Sequence, residues 1–134
     1  MPYYAVIDTN VIVSALLTKN FHAATFQVIG AVLTGDIIPL YSNEIFSEYS
    51  EVLRRDKFNL RGETVDKLLS KIELFGVEVM PVKTEEILVD ADDTIFYETV
   101  SAFNNAYLIT GNKKHFPDVD FVVSPAEMME ILKS

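Results

Sequence analysis

The chain has 134 residues, 49% of them hydrophobic and 23% charged, the balance of one folded domain over residues 1–134 and not of a disordered segment or of two domains side by side. Without cysteine it builds neither a disulfide nor a thiolate metal site, and a formal charge of −9 excludes a broad basic surface that displaces counterions from nucleic acid. A nucleic-acid role therefore needs local positive charge, which bound divalent cations supply.

Taken in chain order, residues 3–8 (YYAVID) predict a buried strand, and the apolar spacing from Val11 through Leu17 predicts a short helix starting at the polar triplet Asp8-Thr9-Asn10. Phe26, Val28, Ile29, Val32 and Leu33 mark a second helix, closed by Gly35-Asp36. The run IIPLY reads as a strand whose Pro39 suggests an edge or a bulge. Ser42 suits the N-cap of a helix carrying Ile45, Phe46, Tyr49, Val52 and Leu53 on one side. A basic loop with Arg54, Arg55, Lys57 and Arg61 follows. Val65, Leu68, Leu69, Ile72 and Leu74 give a further helix ending at Gly76, and VEVMPV reads as the third strand.

Asp92 and Asp93 open a helix with Ile95, Phe96, Thr99, Val100, Ala102 and Phe103 on its inner face. AYLIT is the next strand, GNKKHF a polar turn, and FVVS the last strand. Ser124-Pro125 joins an N-cap to proline at the first helical position of a C-terminal helix. Met80, Met128 and Met129 read as core filler, and His22 as a structural or surface residue. No apolar run approaches the roughly eighteen residues that span a bilayer, and the opening Pro and two Tyr do not resemble a leader, so a cytoplasmic protein with no membrane partner is expected.

Strands alternating with helices predict an α/β domain with a parallel sheet, in which ligands bind at the carboxyl ends of strands. Asp8, Ser42, Asp90 with Asp92 and Asp93, and Thr110 with Asn112 all follow such segments and can converge. Glu48 shares a helix stripe with Ile45 and Val52, whereas Glu51 points elsewhere. Several carboxylates in one place repel until a hard divalent cation neutralises them, and such ions activate water for phosphodiester cleavage. Each acid alone has a plainer use: the triplet and Asp92-Asp93 suit helix caps, and Glu48 suits a half-exposed helix position. Lys113, Lys114 and His115 read either as a solvated loop or as a phosphate-contacting rim, as do the cations at 54–61. Glycine-rich phosphate loops and zinc spacings are absent, and two separated histidines make a Ser-His-Asp triad a poor fit.

Four segments, VIDTNVIVSAL, YSNEIFSEYSEVLRRDKF, DADDTIFYETV and AYLITGNKKHF, in this order and spacing, resemble the PIN-domain proteins, in particular the single-domain toxins of prokaryotic toxin–antitoxin systems. The resemblance covers nearly the whole chain. It implies a three-layer Rossmann-like fold, a central, mostly parallel sheet flanked by helices, and a Mg²⁺- or Mn²⁺-dependent endoribonuclease. Carried over by position, it implies Asp8 as the first metal ligand, Glu48 as the second, and a third from DADD, where Asp93 fits the spacing slightly better than Asp92. Thr9 and Asn10 then support the first ligand, Thr110 lies at the rim, and Lys113 and Lys114 are candidate RNA contacts. A cognate antitoxin protein and self-association through helical faces are the expected partnerships beside the RNA substrate.

The chain departs from the family pattern at one point: where TGD is usual it reads TGN, so Asn112 replaces a carboxylate. An amide oxygen still ligates a hard cation but withdraws one negative charge. The alternative reading is therefore a catalytically impaired PIN fold that binds RNA or protein; a metal-dependent phosphatase or DNA nuclease is a third.

Overall fold

A computed structural model describes residues 2–134. Five parallel strands form one sheet: β1 (Tyr3–Ile7), β2 (Ile37–Tyr41), β3 (Val77–Glu78), β4 (Ala106–Ile109) and β5 (Val122–Val123), in the order β3-β2-β1-β4-β5. Six helices connect and flank them: α1 (Thr9–Leu17), α2 (Ala24–Thr34), α3 (Asn43–Leu53), α4 (Gly62–Phe75), α5 (Thr94–Ser101) and α6 (Pro125–Lys133). Ala5, Val6 and Ile7 are buried in succession, which on a strand requires both sheet faces to be covered. Right-handed crossovers put α2 and α4 on one face and α5 on the other, while α3 meets α1, α4 and α5. Accordingly α2 and α4 pack on β2, α5 packs on β1, β2 and β4, and α6 returns against α2.

The chain runs outward from β1 to β2 and β3, then crosses back to β4 and β5. The change of direction lies between β1 and β4, whose carboxyl ends open a crevice at the switch point. Backbone pairing holds the two ends together, Asp8 N–H donating to the Ile109 carbonyl at 2.9 Å, and the β4 end is tied in turn to β5 by Thr110 N–H donating to the Val123 carbonyl at 2.9 Å.

Helix ends follow local chemistry. Ser42 accepts from the Ile45 amide at 3.2 Å and caps α3. Ser124 and Glu127 form a reciprocal capping box ahead of α6, with Pro125 in the first turn. Gly35 closes α2 at φ +89°, a left-handed conformation that costs glycine nothing. Gly76 serves a different need: a Cβ there would stand 2.5 Å from both the Ile72 and the Pro39 carbonyl oxygens, so the turn from α4 into β3 tolerates no side chain.

The expected third strand, VEVMPV, is cut short. Pairing with β2 ends at Glu78, and the chain runs on to residue 90 without joining the sheet. Met80, expected in the core, is accordingly 82% exposed, and Ile87 and Val89 are exposed too, whereas Met128 is fully buried and Met129 packs against the core. Pro39 lies on neither an edge strand nor a bulge. The Tyr41 carbonyl accepts from Val79, so the nitrogen of Pro39, two residues earlier, faces the β3 side as well. There β3 begins only opposite Leu40, and no ladder donor is needed. Three further boundaries move inward: the first strand stops before Asp8, AYLIT stops at Ile109, and FVVS keeps two residues. Asp92 and Asp93 belong to a 3₁₀ turn that precedes α5. Leu74 is exposed on α4, and Phe26 and Leu33 are exposed on α2.

Candidate active site

Asp8 follows β1 directly and is only 5% exposed. It occupies the N-cap position of α1, yet its side chain makes no capping hydrogen bond. Its Oδ2 instead accepts from the buried Thr110 hydroxyl at 2.7 Å, with the Asn10 amide nitrogen 3.4 Å away. Burial pushes the Asp8 carboxyl up to about 6; the Thr110 hydrogen bond pulls against that rise, and the charge of Asp93 adds to it. The position that suits a cap thus holds a carboxylate aimed at the next strand.

Glu48 comes from the middle of α3, where the stripe of Ile45, Tyr49 and Leu53 turns it toward the sheet end. The Thr9 hydroxyl donates to its carboxylate. Burial raises its pKa, and Asp8 and Asp92 raise it further, against the lowering by Thr9. One residue on, Tyr49 is fully buried beneath the site, and its hydroxyl donates to the Ile7 carbonyl. Burial drives the Tyr49 phenol well above its ordinary range, with Asp8 and Glu48 pushing the same way.

The third carboxylate arrives on the turn before α5. Asp90 does the capping there, its Oδ1 accepting from the Asp92 amide at 3.0 Å, which leaves Asp93 without a capping role. Asp92 is exposed, whereas Asp93 is half-buried and places its Oδ2 3.2 Å from His115 Nδ1. Burial raises the Asp93 pKa, the His115 contact lowers it, and Asp90 and Glu48 raise it. Asp8, Glu48 and Asp93 therefore all lie within reach of one another's charge, each protonated more readily than an ordinary carboxyl.

Asn112 is exposed; its backbone N–H donates to the Thr110 hydroxyl at 3.0 Å, and Gly111 N–H donates to the Asn10 side-chain oxygen at 3.3 Å. The loop after β4 is thereby tied to both residues that touch Asp8. Lys113 is engaged with Glu127 at 2.9 Å, while Lys114 is exposed and has no ion-pair partner among the described residues. Ser42 does not join the cluster; it is spent on its cap.

Three carboxylates within reach of one another's charge are oxygen donors of the kind that suits Mg²⁺ or Mn²⁺ and that protonates or binds a cation to relieve its repulsion. Among the described residues, however, no three acidic or imidazole side chains are gathered into a ready coordination group. Glu48 stays with Thr9, and Asp93 with His115.

Two residues at the site have contacts that the sequence reading did not anticipate. His115 was legible only as one member of a basic turn, and its pairing with Asp93 joins segments 22 residues apart. Tyr49 reads as core, because nothing local distinguishes a buried phenol that supports a strand end from one that fills space.

Residues 4–114 match the PIN domain, which is most of the chain, and the protein belongs to the PIN-domain family. The fold is of the nuclease type, and PIN domains typically use divalent metals. No curated protein and no solved structure gives a significant match. Among the described residues, no helix is long and apolar enough to cross a membrane.

Proposed function

We propose that the protein is a metal-dependent endoribonuclease whose site is Asp8, Glu48 and Asp93, with Asn112 as a neutral auxiliary ligand and Asp92 outside the main group. The observation that carries the reading is the buried Asp8 carboxylate, held by Thr110 at the strand switch point and raised to about 6 among two further raised carboxylates. Keeping three acids mutually repelled in a half-buried crevice is unfavourable for the free fold, and such clusters occur where ligand binding needs them.

Asp8, Glu48 and Asp93 would hold a divalent cation, which would supply a water of lowered pKa and positive charge to offset that of the phosphate. Asp8 fixes the floor of the crevice, and its second partner, Asn10, also steadies Gly111 and so the loop that bears Asn112. Thr9 aims Glu48 from the adjacent position, so one triplet orients two of the three acids. His115 holds Asp93 at the mouth. Lys114, exposed and without an ion-pair partner among the described residues, is available to an RNA phosphate, and Lys113 becomes so on leaving Glu127.

A toxin role restrained by a small protein partner belongs to the same proposal. Leu17, Phe21, Phe26 and Leu33, all exposed on or beside α1 and α2, support a protein partner on that face. The second reading, an impaired PIN fold that binds without cutting, is favoured by Asn112 and by the ungathered acids.

Incubating purified protein with a mixed RNA pool in Mn²⁺, Mg²⁺ or chelator, beside Asp8→Asn, tests the main reading. Cleavage that requires both the metal and Asp8 is expected. Cleavage that persists in chelator, or in Asp8→Asn, would remove the assignment.

A further inference from the structure

A cleft of about 340 Å³ starts at Asp8 and Asn10 and extends away from the acids between Val13 and Ser14 of α1 and Val52 of α3, reaching Phe58. Phe58 belongs to none of the features assigned above. A 3₁₀ turn at Asp56–Phe58 places it, with the Phe58 amide bonded to the Arg55 carbonyl and Asn59 reversing the chain at φ +50°. The ring is half-buried, and Lys57 Nζ lies 5.1 Å from its centroid.

The surroundings differ from the rest of this acidic chain. Arg54, Arg55, Lys57 and Arg61 bring four of the 11 cationic side chains into eight residues. Arg54 is neutralised by Asp66 and Arg55 by Glu51, whereas Lys57 and Arg61 have no ion-pair partner among the described residues. An aromatic ring with aliphatic walls accepts the flat apolar face of a base, short polar side chains beside it meet the base edge, and a cation next to the ring, as Lys57 is, meets the phosphate. A partner's apolar side chain would fit the walls but gives no reason for the cations.

We propose that this cleft is a nucleobase subsite: Phe58 stacks the base of a single-stranded RNA nucleotide adjoining the phosphate at Asp8, and Lys57 contacts its backbone. The identity of the ligand rests on the ribonuclease reading; the geometry of the subsite does not. The site therefore takes unpaired RNA, because a base held in a duplex cannot enter.

The test is binding in chelator, where cleavage plays no part, of short fluorescein-labelled oligouridylate and oligoadenylate and of an abasic oligomer of equal length. The wild type is expected to bind the base-bearing strands more tightly than the abasic one. Phe58→Leu should weaken base-bearing strands about ten-fold and leave the abasic strand unchanged, and Phe58→Trp should retain the preference. Lys57→Gln should weaken all three alike and flatten the salt dependence. Thermal melting of each variant separates loss of binding from loss of fold, and quenching of 2-aminopurine in a labelled strand, lost in Phe58→Leu and kept in Phe58→Trp, reports stacking directly. Equal wild-type affinity for base-bearing and abasic strands, or an equal loss of both in folded Phe58→Leu, overturns the subsite and leaves the cleft to a protein side chain. Metal-dependent cleavage beside that result sinks the subsite alone; Phe58-dependent binding without any cleavage sinks the nuclease alone.

Discussion

The Thr110 hydroxyl donates to Asp8 Oδ2 at 2.7 Å across 102 positions of sequence, and the Thr110 oxygen itself accepts from the Asn112 backbone N–H at 3.0 Å. One buried hydroxyl thus joins the end of β1, the end of β4 and the loop that carries the family's departing residue. Its removal in Thr110→Val is expected to lower stability by about 1.5–3 kcal/mol above pH 7, the usual loss for a hydrogen bond to a charged group. Because Thr110 favours the ionised carboxylate, its loss raises the Asp8 pKa further. The cost should shrink toward pH 5, as Asp8 takes up a proton, and chemical denaturation at both pH values measures the difference. An equal cost at both would show that Thr110 does not act through Asp8.

Asp8 is a liability to the metal-free fold. Its pKa rises from 3.8 to about 6 on folding, so between those values the folded chain holds more protons than the unfolded one and stability falls as pH rises. The full penalty, about 3 kcal/mol, applies above pH 6 and is absent below 3.8. Asp8→Asn should therefore be more stable than the wild type in chelator at pH 7.5, with the advantage disappearing near pH 4. Glu48 and Asp93 shift the same way, so the variant retains a shallower slope. Urea denaturation across this range provides the check, and an Asp8→Asn chain weaker than the wild type at pH 7.5 would contradict it.

Asn112→Asp restores the acid at an exposed loop position whose backbone is already fixed to Thr110. Fold and melting temperature in chelator should change little. Affinity for Mn²⁺, read from the metal-dependent rise in melting temperature, should increase about ten-fold, since hard-cation affinity follows the charge of the ligand set. A gain in RNA cleavage with no gain in metal affinity would place Asn112 on the substrate and not on the metal.

Gly76→Ala separates fold from function. The added methyl meets two backbone carbonyl oxygens at 2.5 Å, and backbone cannot rotate away as a side chain can. A loss of about 1–3 kcal/mol is expected, the range for overpacking, with metal affinity unchanged because the methyl meets only Ile72 and Pro39, on the β3 edge of the sheet, and none of the site residues. Denaturant midpoints and metal titration of the same sample test both halves.

Much of this architecture is legible in the sequence because periodicity, caps and Gly or Pro act locally. Ile45, Tyr49 and Leu53 fix the buried face of α3 and so the bearing of Glu48; Ser42 and Ser124 mark their helices by side-chain chemistry alone. VEVMPV was misread because its apolar residues satisfy the strand pattern while the partner they need is missing: β2 offers pairing only through Tyr41. Spacing leaned only slightly toward Asp93 over Asp92, and the wider separation of the two was not legible for a related reason. It depends on Asp90 taking the cap and on His115 arriving from another strand end, and neither is a local property. Phe58 was hidden among the cations around it.

The brevity of β3 and β5 has a consequence for how copies of this chain meet. Each outer strand pairs over two residues, so neither margin of the sheet presents a long row of free backbone donors and acceptors to a foreign strand. On the β3 side Pro39 removes one more donor from the margin where addition would begin. Both margins of the sheet are thus poor templates for a strand from another chain.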